Sequence, residues 1–189
     1  MKPIVIQLGH PKIATDSFTE FSSVSDVFLK LFRINEESIF LFWHDIPIQF
    51  RYREDLYRNF NDILAMAWLL ERDDQGSNVI NLQTPLVSIK CELRWANDDL
   101  ELKAKFTPQM DIYQTYIDAL NNYSLLKISK NAFLREWHTL LHQIVTSFIA
   151  GNVQIEDGTE RRKWEMLMGI DKKISDYGEL YTRKGLRQA

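Results

Sequence analysis

Two histidines four residues apart could hold one metal ion. His138 and His142 lie in the stretch FLREWHTLLHQIV, residues 133–145, whose apolar residues recur at helical spacing. Residues four apart share one side of a helix, and a helical histidine pair binds zinc when a third ligand completes the site. Glu136 is the carboxylate closest to the pair in the sequence.

The neighbours of the pair argue against a metal site. On a helical wheel Arg135 falls on the flank that carries both histidines, so that a fixed positive charge would oppose a dication. Glu136 projects from roughly the opposite flank, and Thr139 stands where helical zinc proteases have a glutamate. We therefore predict that the histidines form a partly exposed helix edge, and that the protein holds no metal.

A second pattern with catalytic potential is Glu-x-Lys in LELKAK, where Glu101 and Lys103 resemble the pair of restriction-type nucleases. Those enzymes need another acid beside the glutamate to hold Mg²⁺ against a phosphate. Asp98 and Asp99 fall in a predicted turn and would point away. The sequence has no G-x-S-x-G, G-x-G-x-x-G or P-loop motif. We predict no catalytic residue and no cofactor; the alternative is a hydrolase or nuclease with an unrecognised active site.

The elements that carry these residues include one hairpin whose register follows from its pattern. Residues 86–106 alternate between apolar and polar on both sides of a predicted four-residue turn, ANDD. Facing Trp95 with Leu100 gives one wholly apolar face, on which Cys91 reads as a small core residue, and a one-residue slip would bury charges. The predicted pairs are Trp95–Leu100, Leu93–Leu102, Cys91–Ala104, Ile89–Phe106, Arg94–Glu101, Glu92–Lys103 and Lys90–Lys105.

The remaining elements follow from hydrophobic periodicity. Strands are predicted at residues 3–8, 39–43, 48–52, 78–84 and 124–130, and helices at 23–32, 55–72, 109–123, 131–150 and 163–174. The strand at 39–43 is apolar throughout, which predicts cover on both faces, and Asp55 is predicted to cap its helix. Strands dominate the first 106 residues and helices the remainder, so the predicted class is α+β, with an antiparallel N-terminal part packed against a helical C-terminal part.

Composition bounds the class of protein. The chain has 189 residues, 45% hydrophobic and 26% charged, typical of one globular domain spanning residues 1–189; we expect residues 182–189 to be a frayed tail. One cysteine excludes an internal disulfide framework. We expect a cytoplasmic protein without membrane contact, because no apolar run reaches about 18 residues and the N-terminal apolar stretch is too short for a signal peptide.

Charge is distributed unevenly along the chain. The net charge is −3, but residues 160–189 hold eight basic and five acidic residues. The preceding 159 residues therefore carry a net charge of −6. An acidic body repels phosphate backbones and suits a basic protein partner. We predict no binding of nucleic acid, and the pattern specifies no oligomeric state.

The stretch FLFWHDIPIQFRYREDLYRNFNDILAMAWLL, residues 40–70, resembles a segment of small bacterial immunity proteins that protect cells against polymorphic or contact-dependent toxins. The resemblance consists of an aromatic strand, an IPI start to a second strand with a tyrosine, and a helix beginning with acidic residues. It covers about a sixth of the chain. It implies a non-catalytic cytoplasmic protein that binds one cognate toxin domain, and it carries no binding residue over to this sequence.

Four aspartates are the candidate residues for binding such a partner. Asp73 and Asp74 follow a predicted helix in a turn cluster, and Asp98 and Asp99 tip the hairpin. Loop tips reach a partner without disturbing the core. We predict that all four are exposed and that they help to dock a basic toxin domain. The competing interpretation is that they are simply good turn residues.

Overall fold

Nine strands and five α-helices make up the part of the chain that a computed structural model describes, residues 3–14, 20–21, 23–33, 38–155 and 158–185. The strands are β1 Ile4–Leu8, β2 Glu20–Phe21, β3 Ser38–Trp43, β4 Ile46–Arg51, β5 Gln75–Gln83, β6 Val87–Ala96, β7 Asp99–Pro108, β8 Leu125–Ser129 and β9 Gln154–Ile155. The helices are α1 Val24–Leu31, α2 Glu54–Arg72, α3 Gln114–Asn121, α4 Lys130–Ala150 and α5 Gly158–Gly185.

The strands form two antiparallel sheets, in the orders β1-β3-β4 and β5-β6-β7-β8, and β2 pairs with β9 in parallel. Seven of these strands precede residue 109, and three of the five helices follow it, which confirms the predicted α+β class. The single-domain assignment of residues 1–189 and the frayed tail at 182–189 stay predictions. The helix α5 continues to Gly185, and residues 186–189 lie outside the described residues.

The core lies between the two sheets and is closed by α2 and α4. Trp43 of β3 meets Phe106 of β7 edge-on, with ring centroids 5.3 Å apart. A cavity of about 20 Å³ is bounded by both sheets and by Trp137 of α4. A void of that size holds about one water molecule, so the sheets and α4 are closely packed here.

The β6–β7 hairpin has the register that the alternation predicts. All seven predicted pairs occur, from Trp95 opposite Leu100 to Lys90 opposite Lys105. The turn is shorter than predicted because Ala96 also pairs with Asp99, which leaves two residues instead of four between the strands. Asn97 takes a left-handed conformation there, with φ of 55°, and asparagine tolerates this better than most residues.

The β3–β4 hairpin agrees with the predicted alternation in β4 and disagrees in β3. Ile48 and Phe50 are buried, as predicted. The expected cover on both faces of β3 is only partly present, because Phe40 and Phe42 are half-buried on its outer side, whereas Ile39, Leu41 and Trp43 are buried. The rings of Phe40 and Phe42 contact each other, with centroids 6.4 Å apart.

Asp55 does not cap α2 as predicted. The helix begins at Glu54, so Asp55 lies inside its first turn, and its side chain is fully buried. There it accepts hydrogen bonds from the backbone N–H of Arg51 (2.9 Å) and from the Arg51 guanidinium (3.3 Å from Nε). These hydrogen bonds between Arg51 and Asp55 join the end of β4 to the start of α2.

Candidate functional site

The structure brings the four predicted aspartates together at one end of the four-stranded sheet. Asp73 and Asp74 precede β5, Asp98 lies in the β6–β7 turn, and Asp99 begins β7. A hydrogen bond of 2.6 Å from the Asn97 N–H to the Asp74 C=O joins the two loops. We call Asp73, Asp74, Asp98 and Asp99 the acidic end. Their proximity follows from strand pairing, which the sequence of each turn alone does not determine.

A buried lysine lies beneath the acidic end. Lys130, the first residue of α4, is only 8% exposed. Its ammonium group donates to the Asp73 C=O (3.1 Å), and its backbone N–H donates to the Asp98 C=O (2.6 Å). The indole N–H of Trp95 donates to the same Asp73 carbonyl oxygen at 2.9 Å. Lys130 therefore connects both loops to the start of α4, a role that its position in SLLKISK does not reveal.

Asp98 has a structural role besides its exposure. Its carboxylate accepts hydrogen bonds from the Asn131 N–H (2.9 Å) and from the Ser129 hydroxyl (2.8 Å), and so binds the first turn of α4. These two bonds, the one from Asn131 first, lower the pKa of the Asp98 carboxyl. A carboxylate at a helix N-terminus also interacts favourably with the helix dipole. This anchoring holds the hairpin turn in a fixed position.

The Asp73 carboxylate forms an ion pair with the preceding residue, Arg72. Its carboxylate receives both the Nε and Nη2 donors of Arg72 at 2.8 Å. This pairing lowers the pKa of the Asp73 carboxyl. Its side chain is 34% exposed and the residue is half-buried, so the predicted exposure is confirmed for the other three aspartates only. Within the described residues, Asp74 and Asp99 make no side-chain hydrogen bond or ion pair, so these two carboxylates are the ones that could meet a partner.

The histidine pair connects three helices. His142 is 55% exposed, as predicted for a helix edge, and its Nδ1 lies 2.6 Å from an Asp171 carboxylate oxygen on α5. His138 is more enclosed, at 12% exposed, and its Nε2 lies 2.8 Å from a Glu71 carboxylate oxygen on α2. Each histidine thus contacts a different neighbouring helix, and the pair holds α4 between α2 and α5.

Glu136 lies on the other flank of α4, as the helical wheel predicts. Its carboxylate accepts a hydrogen bond from the Ile6 N–H of β1 at 3.1 Å. Among the described residues, no group of three or more His, Cys, Asp or Glu side chains could hold a metal ion.

Glu101, Lys103 and Cys91 have charge partners or burial that fit a structural role. Glu101 lies 3.3 Å from the Lys127 ammonium of β8, and Lys103 stands opposite Glu92 in the hairpin. Cys91 is buried, and this burial raises the pKa of its thiol to about 12. A thiol with such a pKa is protonated at neutral pH and is a poor nucleophile.

Comparison with protein-family models, curated proteins and solved structures gave no match. None of the described helices is long and apolar enough to cross a membrane. The function of the chain must therefore be inferred from its own residues, and the acidic end is the surface on which the predicted site residues meet.

Proposed function

We propose that this chain is a non-catalytic, immunity-type protein that binds and neutralises a cognate bacterial toxin domain in the cytoplasm. The observation that carries the proposal is the acidic end, where Asp74 before β5 and Asp99 at the start of β7 are exposed beside backbone that Lys130 and Asp98 tie to α4. The resemblance of residues 40–70 to immunity proteins supports the same function. The acidic end favours a basic toxin domain as the partner.

The rigidity of the acidic end suits binding of a protein. Lys130 and the Asp98 carboxylate join the two loops to α4 through bonds of 2.6–3.1 Å, so the loops lose little conformational freedom when a partner docks. Preorganisation of this kind lowers the free-energy cost of association. Carboxylates at the margin of an interface act mainly on the association rate, which falls as salt screens them.

The proposed function predicts that a neighbouring gene encodes the toxin domain, and co-expression of this chain with that domain tests the function. The native chain should restore growth of cells that make the domain, and the two purified proteins should associate at a rate that falls as salt concentration rises. If the native chain binds nothing and restores no growth, the proposed function is refuted.

A double variant tests the site separately. Asp74→Asn with Asp99→Asn removes two exposed charges without touching the bonds of Asp73 and Asp98. The matched control is Asp111→Asn with Asp118→Asn, which removes two exposed charges beyond the far end of β7. The double variant should associate more slowly at low salt and with a weaker salt dependence, while the control behaves as the native chain. Rescue and kinetics unchanged in the double variant would keep the function and remove the acidic end as its site.

A further inference from the structure

The two edge strands of the four-stranded sheet, β5 and β8, differ in how their outward backbone groups are bonded. At one edge, α2 covers β5: the Asp62 carboxylate accepts from the Asn81 N–H (2.9 Å), and the Asn59 side chain accepts from the Gln83 N–H (2.7 Å). Side chains that bond outward backbone groups keep an edge strand from pairing with another chain. β5 is protected in this way.

The β8 edge presents its outward backbone groups without such protection. Hydrogen bonds from Ala104 N–H to Ser124 C=O (2.7 Å) and from Lys130 N–H to Asp98 C=O (2.6 Å) show which residues face β7. Because an antiparallel ladder alternates, Leu125 and Lys127 point both backbone groups away from β7, and Ser129 points its N–H away. In the part of the chain that the structure describes, these outward groups have no hydrogen-bond partner.

A recess lies beside this edge. It has a volume of about 90 Å³. Its apolar lining comes from Pro3, Ile4, Ile128, Ala132 and Phe133, and the charged side chains of Arg135 and Glu136 complete it. Since a water molecule occupies about 10–15 Å³ of such volume, the recess has room for one aliphatic side chain. A free strand edge next to a recess with a mainly apolar lining is an arrangement by which proteins bind extended segments: backbone bonds supply affinity and the recess supplies specificity.

We propose that the β8 edge binds an extended segment of the toxin domain as a fifth strand of the sheet. This proposal rests on the proposed function. The segment places one apolar side chain in the recess beside Ile128. A basic side chain near Ser129 reaches the acidic end, because Ser129 pairs directly with Asp99. The acidic end and the β8 edge thus form one continuous surface.

A different chain fits this edge better than a second copy does. Antiparallel self-pairing of the five-residue strand about its centre would place Lys127 opposite Lys127 of the other copy. Like charges directly opposite each other destabilise a strand pair. The Lys127 ammonium is also 3.3 Å from Glu101 within its own sheet, so an added strand with a neutral or acidic residue at this point meets no repulsion.

Two substitutions at one position separate the backbone from the side chain. Lys127→Ala and Lys127→Pro both remove the ammonium group and its contact with Glu101. Only the proline variant also removes the outward N–H, and it costs no bond to β7, since proline is tolerated on the open side of an edge strand. Affinity for the purified toxin domain should fall about tenfold or more from Lys127→Ala to Lys127→Pro, as expected when a buried carbonyl loses its only donor.

A further variant and a second measurement test strand addition without relying on Lys127→Pro. Ala132→Phe fills the recess from an exposed position on α4, and it should also weaken binding without unfolding the chain. Hydrogen exchange of the Leu125, Lys127 and Ser129 amides in the native chain should slow when the domain is added. Circular dichroism and urea melts verify that each variant is folded.

The outcomes distinguish the two proposals. Growth rescue by the native chain with equal affinities for all three variants, and unchanged exchange at residues 125–129, overturns the β8 edge and leaves the immunity function standing. Failure of the native chain to bind or rescue overturns both. Slowed exchange at those amides together with a selective loss in Lys127→Pro supports strand addition at β8.

Discussion

Replacing Asp55 by alanine should destabilise the fold far more than any change to its exposed neighbours. The Asp55 carboxylate is fully buried, while the Arg51 side chain that it contacts is 33% exposed. The hydrogen bond with Asp55 is the main reason that the pKa of Arg51 is raised. Removing the carboxylate leaves the Arg51 N–H without its 2.9 Å acceptor and opens the joint between β4 and α2.

The expected magnitude follows from these contacts. A hydrogen bond to a charged group contributes about 1.5–3 kcal/mol, and a carboxylate in the first turn of a helix about 0.3–1 kcal/mol. Because Arg51 is partly exposed, water can solvate its charge in the variant, which keeps the loss below that of a fully buried pair. We therefore expect Asp55→Ala to lower the free energy of unfolding by about 2–3 kcal/mol, or the Tm by roughly 5–10 °C in a chain of this size.

Urea melts of three variants test this reasoning. Asp55→Asn keeps an oxygen that can accept from the Arg51 N–H but loses the charge, and should cost less than Asp55→Ala. Glu54→Gln is the matched control, because Glu54 approaches the same guanidinium at 3.6 Å from a side chain that is 26% exposed; its cost should stay below about 1 kcal/mol. If Asp55→Ala and Glu54→Gln lower the free energy of unfolding equally, the Arg51–Asp55 hydrogen bonds do not stabilise the connection between β4 and α2.

Three further predictions concern the hairpin and its surroundings. Leu102→Asp, which buries an unpaired charge, should be severely destabilising, and Lys103→Ala on the outer face should cost under about 1 kcal/mol; equal urea midpoints would contradict the assigned faces. Gly76→Ala should cost about 1–3 kcal/mol in the same melts, because the added methyl would lie 2.5 Å from the ring of Trp95, and an unchanged midpoint would show that the ring moves freely. The lowered pKa of Asp98 means that its ionised form stabilises the fold above the unfolded pKa of about 3.9 and that this contribution disappears as pH falls through the lower folded pKa. The stability advantage of the native chain over Asp98→Asn should therefore be constant from pH 7 to about 4 and shrink below that, and an advantage independent of pH down to 2 would refute the assignment.

Local pattern alone determined the β6–β7 register. Alternation has a period of two, so a one-residue slip would have separated Leu93, Trp95, Leu100 and Leu102 onto two faces. The short turn then selects the pairing of Trp95 with Leu100, and the structure has that register. The same kind of pattern predicted the buried residues of β4. These features depend on neighbours in the sequence and on the difference in free energy between burying an apolar group and burying a charge, both of which are readable without a tertiary structure.

Features that depend on distant parts of the chain could not be predicted in this way. The apolar run of β3 looks covered on both sides in the sequence, but whether a layer lies over Phe40 and Phe42 depends on where the helices pack. Asp55 has the residue type and position of a helix cap, and it faces Arg51 instead because β4 ends beside the first turn of α2. The sequence correctly indicated that Asp55 accepts backbone hydrogen bonds, but tertiary packing decided which residue donates them.

The acidic end shows the division most clearly. The sequence marked Asp73, Asp74, Asp98 and Asp99 as turn residues, and the predicted exposure of Asp74, Asp98 and Asp99 agrees with the structure. Only strand pairing placed the two turns side by side, and only the packing of α4 put the Lys130 ammonium beneath them, 3.1 Å from the Asp73 carbonyl oxygen. Turn propensity is a property of a few adjacent residues, whereas a charged surface is the sum of loops far apart in the chain, and its geometry exists only once the sheet and helix have formed.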